Sequence, residues 1–238
     1  MLLYHSSTQL NYFRLLAIAG LLIAVIARPS LGADLPQTTA PNPSTSFDWS
    51  GVYAGINGGY GYGSTGWSTD LFSTGNFPTR GYVVGGTLGY NFKTGVWVWG
   101  LEGDFDYSTM SGASCASLCA PLCFPTQFCE TKNPWFATAR ARIGYAVERF
   151  LPFITGGTVF GKITMTPAVD TTDTATKVGF VIGGGLEYAF RSNWSAKVEY
   201  LYADLGQATC STATCGIGTP VNVKFNTNLV RVGVNYHF

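Results

Sequence analysis

The sequence predicts an all-β fold, an eight-stranded antiparallel up-and-down transmembrane β-barrel. Three observations predict it. The chain ends in an alternating segment, with Val230, Val232, Val234, Tyr236 and Phe238 on one face and Arg231, Gly233, Asn235 and His237 on the other. Seven segments upstream alternate in a similar way, and the connections between segments are short and long by turns. An apolar face carried to the last residue and backed by a polar face suits a strand with lipid outside and a polar lumen inside. A soluble sandwich more often ends in a frayed polar tail.

The N-terminal 33 residues read as an export signal. Arg14 precedes the apolar run 15–27, and Leu31-Gly32-Ala33 offers small residues for cleavage after Ala33. The alternative for this stretch is a retained membrane anchor. Residues 34–47 carry Pro36, Pro41 and Pro43 among Ser and Thr and read as a flexible periplasmic lead-in. The barrel is expected over 48–238.

The first strand is predicted over about 51–63, with Val52, Ala54, Ile56, Tyr60 and Tyr62 on one face. The second (80–92) shows Tyr82, Val84, Leu88, Tyr90 and Phe92; the third (96–107) shows Trp97, Trp99, Leu101, Phe105 and Tyr107. The fourth (135–147) carries Trp135, Ala137, Ala139, Ala141, Ile143 and Tyr145. The fifth (153–163) has the weakest pattern, because Phe153, Thr155 and Val159 alternate with Ile154 and Phe160. The sixth (176–190) shows Val178, Phe180, Ile182, Leu186, Tyr188 and Phe190, and the seventh (194–205) Trp194, Ala196, Val198, Tyr200 and Tyr202. The eighth is the chain end; its start is open, because Val221, Val223 and Phe225 alternate in the opposite phase. Most segments reach the roughly 9–11 residues that cross a bilayer at a tilt.

Connections 93–95, 148–152 and 191–193 are short and carry Gly, Pro or Asn. Connections 64–79, 108–134, 164–175 and 206–221 are long. Short turns at one end and long loops at the other are the asymmetry of an outer-membrane barrel, with both termini at the short-turn end. All six cysteines, Cys115, Cys119, Cys123, Cys129, Cys210 and Cys215, then fall in long outward loops. An even number in an exported chain favours disulfides, with Cys210–Cys215 the simplest local pair and the connectivity otherwise open. The alternative, a metal site on the regularly spaced Cys115, Cys119 and Cys123, has no histidine nearby.

The face opposite the apolar one carries Glu102, Asp104 and Asp106 in the third segment, Arg140 and Arg142 in the fourth, and Glu187, Lys197, Glu199 and Arg231 in later ones. Opposite charges on neighbouring strands can pair across the ladder. Inside a narrow barrel they would fill the lumen as a salt-bridged core, since a cation facing lipid costs about 2–4 kcal/mol near the midplane. A solvated sheet face on a secreted sandwich is the alternative.

Of the 238 residues, 11% are charged, 15% aromatic and 46% hydrophobic. Removing Arg14 and Arg28 with the signal leaves 12 of the 14 basic residues against 13 acidic ones, a balance that argues against nucleic acid as a partner. Gly58-Gly59-Tyr60-Gly61-Tyr62-Gly63 is followed by no helix and reads as strand glycine, not as a phosphate loop. His237, the one histidine outside the signal, sits beside the C-terminus, far from the long loops, so no catalytic dyad is expected at the outer rim. No catalytic residue, cofactor or metal is expected.

Residues 47–61, FDWSGVYAGINGGYG, resemble the first strand of RopB-type outer membrane proteins of alphaproteobacteria. Ala33-Asp34-Leu35-Pro36, Ala141-Arg142-Ile143-Gly144-Tyr145 and the ending Asn235-Tyr236-His237-Phe238 are similar too. The resemblance implies an eight-stranded barrel in the outer membrane, membership of the porin-like surface-protein superfamily, and delivery by the barrel assembly machinery through the terminal Phe238. Outer membrane lipid and lipopolysaccharide are the expected surroundings and partners. The cysteine-rich loop 115–129 departs from that pattern. The expected role is a structural barrel presenting disulfide-containing loops for envelope integrity or surface interaction. The alternative is a small porin-like diffusion channel, disfavoured because eight strands enclose only enough room for side chains.

Overall fold

The computed structural model describes residues 46–68, 73–114, 129–166, 173–210 and 221–238, the side chains of Thr74, Ser114 and Cys129 excepted. Eight strands follow in order: β1 Gly51–Ser68, β2 Ser73–Thr94, β3 Trp97–Ser114, β4 Cys129–Tyr145, β5 Phe150–Thr166, β6 Asp173–Arg191, β7 Trp194–Cys210 and β8 Val221–His237. Each pairs antiparallel with its neighbours, and β8 closes on β1 through pairs such as Ala54 with Tyr236 and Tyr60 with Val230. No sheet edge is left open, which is what lipid demands of a β structure.

The outward faces are those the alternation predicts. Ile56, Leu88, Leu101, Phe105, Ile182 and Val232 are all exposed on the outside. Aromatic rings bound this belt below and above. Trp97–Tyr145, Phe150–Tyr188 and Trp194–Tyr236 meet at centroid distances of 5.4, 4.7 and 5.1 Å near the short turns. Tyr60–Tyr82, Phe105–Trp135 and Phe180–Tyr202 meet at 5.4, 5.8 and 6.0 Å towards the other end. Along β3 the belt runs from Trp97 to Tyr107, and at a tilt of about 40° that is roughly 25 Å of membrane.

The strands are 17 to 22 residues long and continue beyond the belt. Segments expected as long loops are largely strand: β1 and β2 cover all of 64–79 except 69–72, and β3 and β4 leave only 115–128 between them. Cys129 opens β4 and Cys210 closes β7, so neither lies in a loop. In this upper part the outward residues are polar, among them Asn76, Thr109, Thr176, Gln207 and Asn222, while the lumen is mainly apolar, with Thr65, Thr79 and Thr131 buried among its hydrophobic side chains. The phase of Val221, Val223 and Phe225 is explained in the same way. They lie on the inward face of β8 in register with Arg231, and the strand continues unbroken. Shifts in register at 107–110, 132–136 and 204–207 mark the boundary between the two parts, with Gly206 at φ +70°.

In β5 the structure resolves the ambiguous pattern: Phe153, Thr155 and Val159 face inward, Ile154 and Phe160 outward. Inward glycines on β1 make room for the large lumen residues opposite. A Cβ on Gly59 would stand 2.2 Å from the Val230 carbonyl oxygen, and one on Gly61 2.5 Å from Met110 Sδ.

Candidate functional site

The lumen is the part of the molecule where polar chemistry concentrates. β3 contributes Glu102, Asp104 and Asp106; β4 Arg140 and Arg142; β6 Glu187; β7 Lys197 and Glu199; β8 Arg231. All nine side chains are buried. Two contacts run along the ladder as expected, Arg140 to Glu102 and Arg231 to Glu199, the latter at 2.7 Å. Most of the others span the barrel. Arg140 reaches Glu199 at 2.9 Å, Arg142 reaches Glu187 at 2.7 Å, Lys197 reaches Glu102 at 2.9 Å, and Arg231 reaches Asp106 at 2.7 Å. Glu187 and Lys197 face each other in register, yet Glu187 is bonded to Arg142 and Lys197 to Glu102.

Neutral side chains complete the layer. Tyr53 donates its hydroxyl hydrogen to Glu102 at 2.7 Å and accepts from Arg142 at 3.0 Å. Thr87 and Thr138 donate to the two oxygens of Asp104, each at 2.7 Å. Arg142 also lies over the Phe153 ring, 4.5 Å from its centroid. Three carboxylates, Glu102, Asp104 and Glu199, lie close enough to share a metal ion, their ligand atoms within 4.8 Å of one another. The Arg140 guanidinium already bonds all three, so a protein cation fills that position.

Below the charged layer, a strap crosses the mouth. The backbone N–H of Phe47 donates to the Glu148 carbonyl at 3.4 Å, at the turn between β4 and β5, and the chain then crosses to enter β1. Asp48 accepts the Ser50 N–H at 3.0 Å, a bond that holds its carboxyl below the usual carboxylate range. Trp49 is fully buried and, with Phe47, packs on Val98, Leu151 and Ala189. His237 stacks on Tyr53 at 5.3 Å and meets the Phe47 and Trp49 rings edge-on at 5.0 and 5.7 Å. Phe47 is therefore part of the folded barrel, although the sequence groups it with the lead-in. Above the charged layer, Trp67, Phe77, Met110, Ile163, Val223 and Phe225 belong to one continuous apolar cluster. Among the described residues, the charged layer thus lies between two apolar clusters.

Sequence reasoning does not find a second polar group in the lower lumen. Ser195 donates to Glu187 at 2.5 Å and lies 3.0 Å from His237 Nε2, and Asn235 donates to the same Glu187 oxygen at 2.7 Å. Serine, histidine and glutamate thus meet, but serine and glutamate share one ring nitrogen of His237, and its Nδ1 has no partner among the described residues. A nucleophilic triad places its acid on the other nitrogen and opens its serine to substrate. Ser195 is fully buried. The alternation of β7 and β8 assigns Ser195 and His237 to the inward face, which was the available signal.

This architecture agrees with a direct comparison: residues 36–238 match the family model described as an outer membrane protein beta-barrel domain. The chain belongs to that family. Its curated relatives in the family are outer-membrane proteins of alphaproteobacteria, as the resemblance to RopB-type proteins implies. A 31 kDa outer-membrane immunogenic protein of Brucella melitensis is 36% identical, over 90% of this chain and 96% of that protein. A 25 kDa outer-membrane immunogenic protein of Brucella abortus is 28% identical, over 94% and 97%. A 22 kDa outer membrane protein of Rhizobium leguminosarum bv. viciae is 30% identical, over 66% and 64%. This family member is an outer membrane protein.

Of the remaining sequence candidates, Phe238 ends the chain with its ring outward against Tyr236, and its N–H donates to the Val52 carbonyl at 3.0 Å. Cys210 is buried and disulfide-bonded. The side chains of Cys115, Cys119, Cys123, Cys129 and Cys215 lie outside the described residues, as do the stretch expected to be an export signal and most of the stretch expected to be a lead-in.

Proposed function

We propose that the protein is a structural barrel that anchors and displays extracellular loops at the cell surface, serving envelope integrity or surface interaction, and that it is neither an open channel nor an enzyme. The filled lumen carries this reading. From Trp49 through the Arg140 layer to Val223, side chains occupy the interior. The disulfide at Cys210 supports loops braced by cross-links at the strand tops. An exposed aromatic residue at the end of a closing strand supports Phe238 as the signal read by the assembly machinery. The burial of Ser195 beneath the strap supports a non-catalytic role for its contact with His237.

Reconstitution of the full mature protein in planar bilayers tests the proposal. The expected record is flat, apart from rare transient events. A steady conductance that disappears when the lumen is narrowed further, for instance by Gly61→Leu in a variant that still folds, would favour the diffusion-channel reading.

A further inference from the structure

The lipid-facing belt is not uniform around the barrel. Large side chains cover much of it; small ones interrupt it at several points and gather on β3 to β5, at Gly103 on β3, Ala137, Ala139 and Ala141 on β4, and Gly156 on β5. Two apolar hollows result. One of about 630 Å³ lies between Leu88, Leu101 and Ala139, and one of about 390 Å³ between Ala141, Ile154 and Ile182. Ala139 and Ala141 sit midway between Trp135 and Tyr145, so the trough runs from the upper aromatic ring to the bilayer centre.

Two polar features stand on the same strands. Thr158, level with Ala139 on the next strand, faces lipid from inside the belt, and its hydroxyl makes no hydrogen bond among the described residues. Asn228, on that outward face at the upper rim, is by contrast bonded to Tyr200. Just above the upper ring, Lys132 on β4 and Lys162 on β5 point outward on the side away from the termini. Lys132 is paired with Glu130 at 2.8 Å, and both are solvated.

We propose that this sector binds one outer-leaflet lipid with a phosphorylated headgroup, its phosphate on Lys132 and Lys162, the carbonyl of an acyl linkage near the Thr158 hydroxyl, and an acyl chain in the alanine trough. Each part fits one section of the ligand. Cations at the interface attract phosphate. A hydroxyl in hydrocarbon requires an acceptor. A trough of small residues gains dispersion contacts once a flexible chain fills it. The inference goes beyond the structural role, because a barrel can display loops without holding a particular lipid, so its failure would leave that role untouched.

The test is native mass spectrometry of the full mature protein, folded in detergent and titrated with diphosphoryl lipid A. Dephosphorylated lipid A with the same chains, and inorganic phosphate, are the comparison probes. The expected result is one tightly retained diphosphoryl lipid per barrel. Lys132→Gln with Lys162→Gln should weaken it by at least about tenfold. Ala139→Leu with Ala141→Leu, which fills the trough, should weaken both the phosphorylated and the dephosphorylated lipid. Val198→Leu on the far wall should change neither. Heat-modifiable mobility on gels establishes that each variant is folded. Equal retention of phosphorylated and dephosphorylated lipid, displacement by inorganic phosphate alone, or unchanged affinity in both double variants would each overturn the proposal.

Discussion

The lower and upper halves of this barrel are built inside out relative to each other. In the lower half Ile56, Leu101 and Val232 face outward, while Glu102, Arg140 and Arg231 are buried within. In the upper half Asn76, Thr176 and Lys224 face outward, while Phe77, Ile163 and Phe225 are buried. The same eight strands and the same period of two run through both. Only the solvent differs: hydrocarbon around the lower half and water around the upper. Where lipid takes the apolar side chains, the lumen is left to charges that must satisfy one another. Where water surrounds the wall, the lumen is an ordinary hydrophobic core. The comparison shows that the assignment of faces follows the surroundings of the wall and not the strand itself.

The sharpest way to break the comparison is to remove one lumen cation. Arg140→Ala strips Glu102, Asp104 and Glu199 of a shared partner. It should destabilise the folded barrel by about 3–5 kcal/mol, because uncompensated buried charge is left behind. Urea-dependent folding into lipid vesicles measures this, and a loss below about 1 kcal/mol would mean that water reaches the layer. In the upper half the matching change is Ile163→Ala, expected to cost about 2–4 kcal/mol through an unfilled cavity, with no sensitivity to salt. On the outside the halves should respond oppositely to the same residue. Leu101→Lys should cost about 2–4 kcal/mol in the membrane belt. Thr176→Lys should stay within about 0.5 kcal/mol, as at a solvated surface. The smallest effect is expected at the lower turn, where Glu148 is the one non-glycine residue with a positive φ among the described residues, at 53°. Glu148→Gly should stabilise by a few tenths of a kcal/mol up to about 1, seen as a small rise in the folding midpoint.

The inversion also explains what could be read from the sequence. The belt was legible because Trp97, Trp99, Leu101, Phe105 and Tyr107 alternate with Glu102, Asp104 and Asp106, a sharp contrast between large apolar and charged side chains. The nine lumen charges were legible for the same reason. The upper half was not. Thr164, Thr174 and Asn222 on an outer face resemble loop composition, and Val221, Val223 and Phe225 reverse the polarity expected from the rest of β8. Those residues kept the strand period and changed only which face was apolar. Partners across the lumen, such as Arg142 with Glu187, were hidden because strand adjacency predicts ladder neighbours, whereas long side chains in a narrow barrel reach across it. The strap was hidden because Phe47 and Trp49 precede the first strand, and nothing in their spacing shows that they fold back over the mouth.

The central claim is that water replaces lipid part-way along each wall while the lumen changes in the opposite sense. Nitroxide labels on the outward face of β8, placed through a ketone-bearing residue so that the cysteines are untouched, test it most directly. Accessibility to oxygen and to a water-soluble nickel chelate would be read in lipid vesicles at positions 222, 224, 226, 230, 232 and 234. The account predicts oxygen access with nickel exclusion at Val230, Val232 and Val234, and nickel access at Asn222, Lys224 and Asn226. Nickel access at Val232, or lipid-like oxygen access at Lys224, would contradict it.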